Sequence, residues 1–344
     1  MKYVIIADLH LQISGFSVLV DGIPDRIYFP LKNLRKAIDI AKQHNAVLII
    51  AGDLIEEKDK IHQVVLDYTF QALNECKQEV QTYIVMGNHD YTVYKDKQFS
   101  YLDYVGIPLA KSKEPIFFDD IALIGHSHNK EDIIEDFRNV DPETTKLIVS
   151  HFGLQEALVG NTKYKGGEFS VRDLQHSFPN TTIILGHYHK PQTVTENILY
   201  VGSPTPVRID ERDDEKRILL VDTDTNEIIS IPTEYPKIHT IELSKDSRLD
   251  ISELEKNITE NYHKYVLKIP SSHIQFKEIM DLEKHYKGYV YTYRTQNIQE
   301  PQNIPTNLDI SEINIKSIQD EFLEKMGIPK EQHIIYKNEI EDLL

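Results

Sequence analysis

Aspartate, histidine and asparagine, side chains suited to divalent cations, recur in five short blocks along this chain. The blocks are Asp8-Leu9-His10, Gly52-Asp53, Gly87-Asn88-His89-Asp90, His151, and Gly186-His187-Tyr188-His189. They offer carboxylates, imidazoles and an amide but no sulfur, in the amount that two adjacent metal ions require. Such a pair needs one bridging anion that keeps the ions roughly 3.5–4 Å apart, with positions open for water and substrate. Asp53 is the natural bridge, and Asp8 brings the second negative charge. His10, His151, His187, His189 and the carbonyl oxygen of Asn88 complete the set and are neutral. Two dications against two carboxylates leave the cleft positive, which suits a phosphodiester and acidifies a bound water. His89 adjoins a ligand without being needed as one, and is placed to give a proton or hydrogen bond at a scissile phosphate.

Each block follows an apolar run: Tyr3-Val4-Ile5-Ile6, Val47-Leu48-Ile49-Ile50, Tyr83-Ile84-Val85, Leu147-Ile148-Val149 and Ile183-Ile184-Leu185. Short apolar runs with turn residues behind them read as buried strands. Ligands of layered α/β folds gather beyond the carboxyl ends of strands, so all five blocks point to one sheet edge.

Other candidates are weaker. Gly125-His126-Ser127-His128 mimics the last block and follows a strand at Ile121–Ile124, but choosing it puts His151 out of order. A polar loop at the cleft rim is the expectation there. His62, His176 and His285 fall in helical contexts and read as solvated or satisfied. Lys163 and Lys165, in the Gly-rich segment 160–167, could contact backbone phosphate; a plain solvated loop fits equally well. The 19 tyrosines, against no tryptophan, form no periodic stacking pattern.

At 344 residues, with 40% hydrophobic and 27% charged residues, the chain can hold one large globular domain with an appendage, or two domains of ordinary size. No stretch approaches the roughly 20 apolar residues of a membrane span. The first residues run into a strand without a basic-then-apolar leader, and Cys76 stands alone. We expect a cytoplasmic protein without disulfides or a cysteine-based zinc site. The net charge of −17 opposes tight non-specific DNA binding by this chain alone. It leaves phosphodiester chemistry open, because bound metals invert the local field and a partner could supply a basic track.

Strands and helices alternate from residue 1 to about 243. Leu31, Leu34, Ala37, Ile38 and Ala41 form a helical stripe opened by Pro30, and further helices fit about 60–75 and 130–138. After Gly186-His187 the pattern turns to strands, at about 198–201, 216–222, 227–231 and 238–243. An α/β sandwich whose second sheet is partly antiparallel accounts for this. We divide the chain into a catalytic domain at 1–245, a small α+β domain at 246–297, a linker at 298–309 and a helical hairpin at 310–344. The hairpin's apolar stripes would pack on their own domain or dock another protein's helices.

The order D-x-H, GD, GNHD, H and GHxH resembles that of the calcineurin-like metallophosphoesterases, over residues 1 to about 209. Within that superfamily, Gly186–His189 followed by Tyr200-Val201-Gly202-Ser203-Pro204 looks like the SbcD-type nucleases, the meiotic-recombination-eleven family of double-strand-break repair. The compact length looks more like a bacteriophage recombination nuclease, which would place the protein in a host cytoplasm. The resemblance implies a two-metal DNA nuclease, exonuclease or endonuclease, with manganese as the usual cofactor. It implies Asp8, His10, Asp53 and His189 around one ion, and Asp53, Asn88, His151 and His187 around the other. His89 would be the transition-state histidine and 246–297 a capping domain. The last helices would tether an SbcC-like SMC-type ATPase, in a complex built on a homodimer. Cellular members often carry a histidine three residues after the bridging aspartate; Glu56 stands there instead, which puts exonuclease efficiency and polarity in question. The rival within the superfamily is a small-molecule phosphodiesterase or phosphatase. The Asp-Arg-Gly of its phosphoprotein phosphatases is missing after Gly52-Asp53.

Overall fold

Two six-stranded mixed sheets pack face to face. The first runs in the order Glu227–Pro232, Arg217–Asp222, Lys2–Ile6, Val47–Ala51, Thr82–Val85, Leu109–Ala110. The second runs Gln192–Thr195, Ile198–Tyr200, Thr182–Gly186, Leu147–His151, Ile121–Ile124, Ile116–Phe118. The computed structural model describes residues 1–295 apart from 14–16, 96, 156, 160–161, 164–166 and 168. Lys165, the expected linker at 298–309 and the hairpin at 310–344 lie outside the described residues.

Successive strand residues face opposite ways, so an unbroken apolar run has something to bury on each side. In the first strand Tyr3 and Ile5 point into the sandwich, against Leu123, Val149 and Ile184 of the other sheet. Val4 and Ile6 point outward, under helices α1 (Asp25–His44) and α2 (Gln63–Glu79), where Leu34, Ile38 and Leu73 cover them. Helices α3 (Lys130–Arg138) and α4 (Val171–Ser177) cover the second sheet through Ile133, Phe137 and Leu174. The result is a four-layered α/β sandwich.

Two expectations need correction. Helix α1 opens at Asp25, not at Pro30, which sits at its sixth position. The buried Asp25 carboxylate accepts from the Val18 N–H at 3.0 Å and pairs with Lys264 at 2.6 Å, which fixes the helix start upstream. Antiparallel pairing also belongs to both sheets. The strands predicted past residue 198 divide: Ile198–Tyr200 joins the second sheet, while Arg217–Asp222 and Glu227–Pro232 cross to the first.

Ile238–Glu242, Lys264–Pro270 and Val290–Thr295 form a separate parallel sheet, connected by helices α5 (Ile251–Asn261) and α6 (Phe276–His285). Leu254, Ile258, Ile279 and Leu282 bury one of its faces. The sheet starts at Ile238, inside the segment assigned from sequence to 1–245, and Met1–Thr295 form one compact unit.

Candidate metal centre

The carboxyl ends of Lys2–Ile6, Val47–Ala51 and Thr82–Val85 meet those of Leu147–His151 and Thr182–Gly186 across the sandwich. All eight residues singled out from the sequence collect there. Four of them, Asp8, His10, Asp53 and His187, hold positive φ angles of 54°, 46°, 53° and 100°. Such backbone is costly for side chains other than glycine and gathers at functional sites. Hydrogen bonds hold it: Asp8 N–H to Gly52 O, His10 N–H to Asp53 O (both 3.0 Å), and His187 N–H to Asp8 Oδ1 (2.9 Å). Gly52, at φ +85°, is required for space as well, since a Cβ would strike the His151 ring and the Gly87 backbone.

Asp53 is shared. Its donor atoms lie within 4.8 Å of those of His10 and His89 on one side, and of His151 and His187 on the other. Asp53 Oδ1 accepts the His89 N–H at 2.8 Å, while Oδ2 lies 3.2 Å from His151 Nε2 and 3.6 Å from His10 Nε2. Asn88 Oδ1 joins the second cluster, 2.8 Å from His187 Nδ1 and 3.1 Å from His151 Nε2.

Hydrogen bonds on the far ring nitrogens fix the tautomers. The Ala51 carbonyl only accepts, so His151 Nδ1 donates to it at 2.8 Å and leaves Nε2 facing Asp53 and Asn88, as a lone pair once the ring is neutral. His10 Nδ1 faces the Glu56 carboxylate, and His189 Nδ1 donates to Glu211 Oε1 at 2.8 Å. Their Nε2 atoms, both acceptors when the two rings are neutral, confront each other at 2.9 Å. Asp8 Oδ2 is buried with no hydrogen-bond partner. Acceptors crowded together without donors call for a cation. At a metal–nitrogen distance of roughly 2.1 Å, two nitrogens held at right angles by one ion sit about 3 Å apart. The donor set therefore fits a pair of divalent ions.

The protonation pattern says the same. Burial alone would lower His151, but the Asp53 and Asp8 carboxylates outweigh it and push His151 up to about 10. Burial and the charge of His151 together take His187 down to about 3. Burial raises Asp8, whereas for Asp53 the charges of His151 and His10 overcome burial and hold the carboxyl well below its ordinary range. A proton on His151 occupies ground that a metal would take.

Four further residues outside the expected ligand set shape the site. Asp90 is buried, and its carboxylate accepts the N–H groups of Gly87 and Asp53 (2.8 Å) and Leu54 (2.9 Å), so it shapes the loops carrying Asp53 and Asn88. Glu56 holds His10 by its carboxylate and the His89 ring by its carbonyl, 2.6 Å from Nδ1. Behind His189, Glu211 is gripped at 2.9 Å by Lys216, a lysine with no exposed side chain that also donates to His189 O at 2.8 Å. Outer partners of this kind orient metal-binding histidines.

Among the weaker candidates, His126 is not at the rim. Its N–H bonds Met86 O at 2.8 Å, and Gly125 packs so closely on Ala110 and Lys111 that the loop turns inward. The ring stacks on His187 at 6.5 Å, bonds the Tyr91 hydroxyl through Nδ1 at 2.9 Å, and burial pulls it down to about 3. His128 is exposed, His62 caps α2, and His176 and His285 lie in α4 and α6.

A double-sheet sandwich with a two-cluster nitrogen and oxygen donor set at its strand ends defines a metallophosphoesterase. The family model for calcineurin-like phosphoesterase matches residues 1–191, and the chain belongs to that family, whose members use divalent metal ions. It is 25% identical over 262 residues to 244L of Invertebrate iridescent virus 6, a protein named as a phosphoesterase, covering 73% of this chain and 86% of that one. It is also 25% identical to the uncharacterized metallophosphoesterase YhaO of Bacillus subtilis, over 75% of this chain and 65% of the relative. A Staphylococcus aureus crystal structure named as a 5'-nucleotidase superposes with a TM-score of 0.40 at 12% identity, over 75% of this chain and 58% of that one. No described helix is long and apolar enough to cross a membrane.

Proposed function

We propose that this phosphoesterase is a two-metal DNA nuclease. The observation that carries the two-metal reading is Asp53, common to both donor clusters, with His89 bonded to its other oxygen. Asp8, His10, Asp53 and His189 would hold one ion, and Asp53, Asn88, His151 and His187 the other. When bound, the ions, of which manganese is our choice, supply Lewis acidity and a lowered pKa for water. The chain's own part is to place the phosphate and to move a proton. His89 keeps Nδ1 on the Glu56 carbonyl, so its imidazolium form presents the Nε2 proton to the leaving oxygen. Glu56 is therefore engaged with His10 and does not face the substrate as a free anion.

DNA as substrate is favoured by the resemblance to SbcD-type nucleases, which runs through Gly202-Ser203-Pro204, and by the missing Asp-Arg-Gly after Asp53. The same resemblance supports a cytoplasmic homodimer with an SbcC-like ATPase docked on 310–344. The test is cleavage of a linear, end-labelled duplex with manganese by wild type, His89→Ala and Asp53→Ala, with bis-p-nitrophenyl phosphate in parallel. Cleavage abolished by both substitutions supports the proposal. Turnover of the small diester without DNA cleavage, even with the ATPase added, assigns a small-molecule phosphodiesterase instead.

A further inference from the structure

Against His89 lies a cavity of about 270 Å³. Its wall includes His89, Lys58, Tyr91, Phe99, Tyr101 and Tyr104. These aromatics show no period in the sequence; the hairpin Thr92–Tyr94/Lys97–Phe99 and the turn Tyr101–Tyr104 bring them together. Two stand open at the mouth, Phe99 at 50% exposure and Tyr104 at 87%. Tyr101 gives its hydroxyl to Asp90 Oδ1 at 3.1 Å, so its ring is held by the carboxylate that also shapes the Asp53 loop. Lys58 at the rim reaches the Asn88 carbonyl at 3.3 Å and sets a cation beside the block that carries His89.

We propose that this cavity receives one unpaired base adjoining the phosphodiester at the metal centre. The inference rests on the nuclease reading and deepens it: the substrate is single-stranded or frayed at the cut. His89 lines the cavity and, as the group that serves the leaving oxygen, puts the cavity's contents beside the scissile phosphate. Aromatic faces next to a lysine hold successive nucleotides by stacking and charge, whatever the base. The net charge of −17 makes such local contacts necessary, since no general attraction for DNA is available.

The test compares wild type with Phe99→Ala/Tyr104→Ala on a short single strand and on an otherwise identical strand of abasic residues, with manganese. Wild type should show a KM roughly ten- to a hundredfold lower for the strand with bases, and the double variant should lose that preference with kcat largely kept. Equal preference in wild type and variant overturns the base site while leaving the nuclease reading intact. So does a variant that changes only its sedimentation from dimer to monomer, which would assign the two rings to contact between copies. Turnover of bis-p-nitrophenyl phosphate with no cleavage of either strand overturns the nuclease reading, and this inference with it.

Discussion

Glu211 Oε1 accepts from His189 Nδ1 at 2.8 Å, and the pair ties a late loop to the metal centre. Burial would raise this carboxyl, but the hydrogen bond from His189 and the Lys216 charge hold it at about 2, so Glu211 is an anion throughout the working range. Removing that charge while keeping the shape, in Glu211→Gln, should weaken metal binding about 10- to 100-fold. Calorimetric titration of the metal-free protein with manganese measures this directly. Unchanged affinity would show that Glu211 only braces the loop.

Lys216→Met should be costlier for the fold. The lysine is 2% exposed and contacts Glu211, Ser203 and the His189 carbonyl. Breaking a buried pair by removing one member costs about 3–5 kcal/mol, because the other charge is stranded. Denaturant unfolding would reveal the loss, and Lys216→Met/Glu211→Leu should recover much of it.

The metal-free protein should be most stable near pH 6.5. His126 and His187 sit at about 3 in the folded state, so below pH 6.5 the unfolded chain takes up protons that the fold refuses, and stability falls. His151 sits at about 10, so its favourable contribution is complete below pH 6.5 and drains away as pH rises toward 10. A divalent ion held by His151, manganese in the test, would replace its proton and should flatten the alkaline arm. At a hundred times its dissociation constant it should add about 2.7 kcal/mol. Thermal melts from pH 4 to 10, with and without manganese, decide the matter; an alkaline arm that persists with metal would be inconsistent with His151 as a ligand.

Gly52→Ala should abolish metal binding before it unfolds the protein. Its Cβ would strike the His151 ring in the opposite sheet, at a backbone angle that alanine already resists. A manganese titration without heat, alongside a circular dichroism spectrum retaining strand content, is the expected result.

Much of this was legible because the signals were local. Five apolar runs, each closed by polar residues, specified buried parallel strands, and the side chains behind them assemble at one place. What was hidden depends on long-range pairing. Lys216 follows Asp213, Asp214 and Glu215 and opens the strand expected at about 216–222; only the crossing of Arg217–Asp222 to the first sheet carries it inside. Asp90 read as the last letter of a loop, yet its carboxylate bonds backbone 36 and 37 residues away. His126 looked peripheral because nothing local says that its loop bends inward. Pro30 looked like a helix start because the Asp25 pairing with Lys264 spans most of the chain.

The first strand also sets a schedule for synthesis. Lys2–Ile6 lies inside its sheet, between Val47–Ala51 and Arg217–Asp222, so one long edge has no neighbour until residue 222 has been made. At ~5–20 residues per second the ribosome takes on the order of 10–40 s to cover that interval. Throughout it the nascent chain presents Tyr3, Val4, Ile5 and Ile6 as an unpaired apolar edge, a template for pairing with another chain. His187, His189 and Glu211 also emerge within that window. The metal centre of this phosphoesterase is therefore complete only when the chain that closes its first sheet has been made.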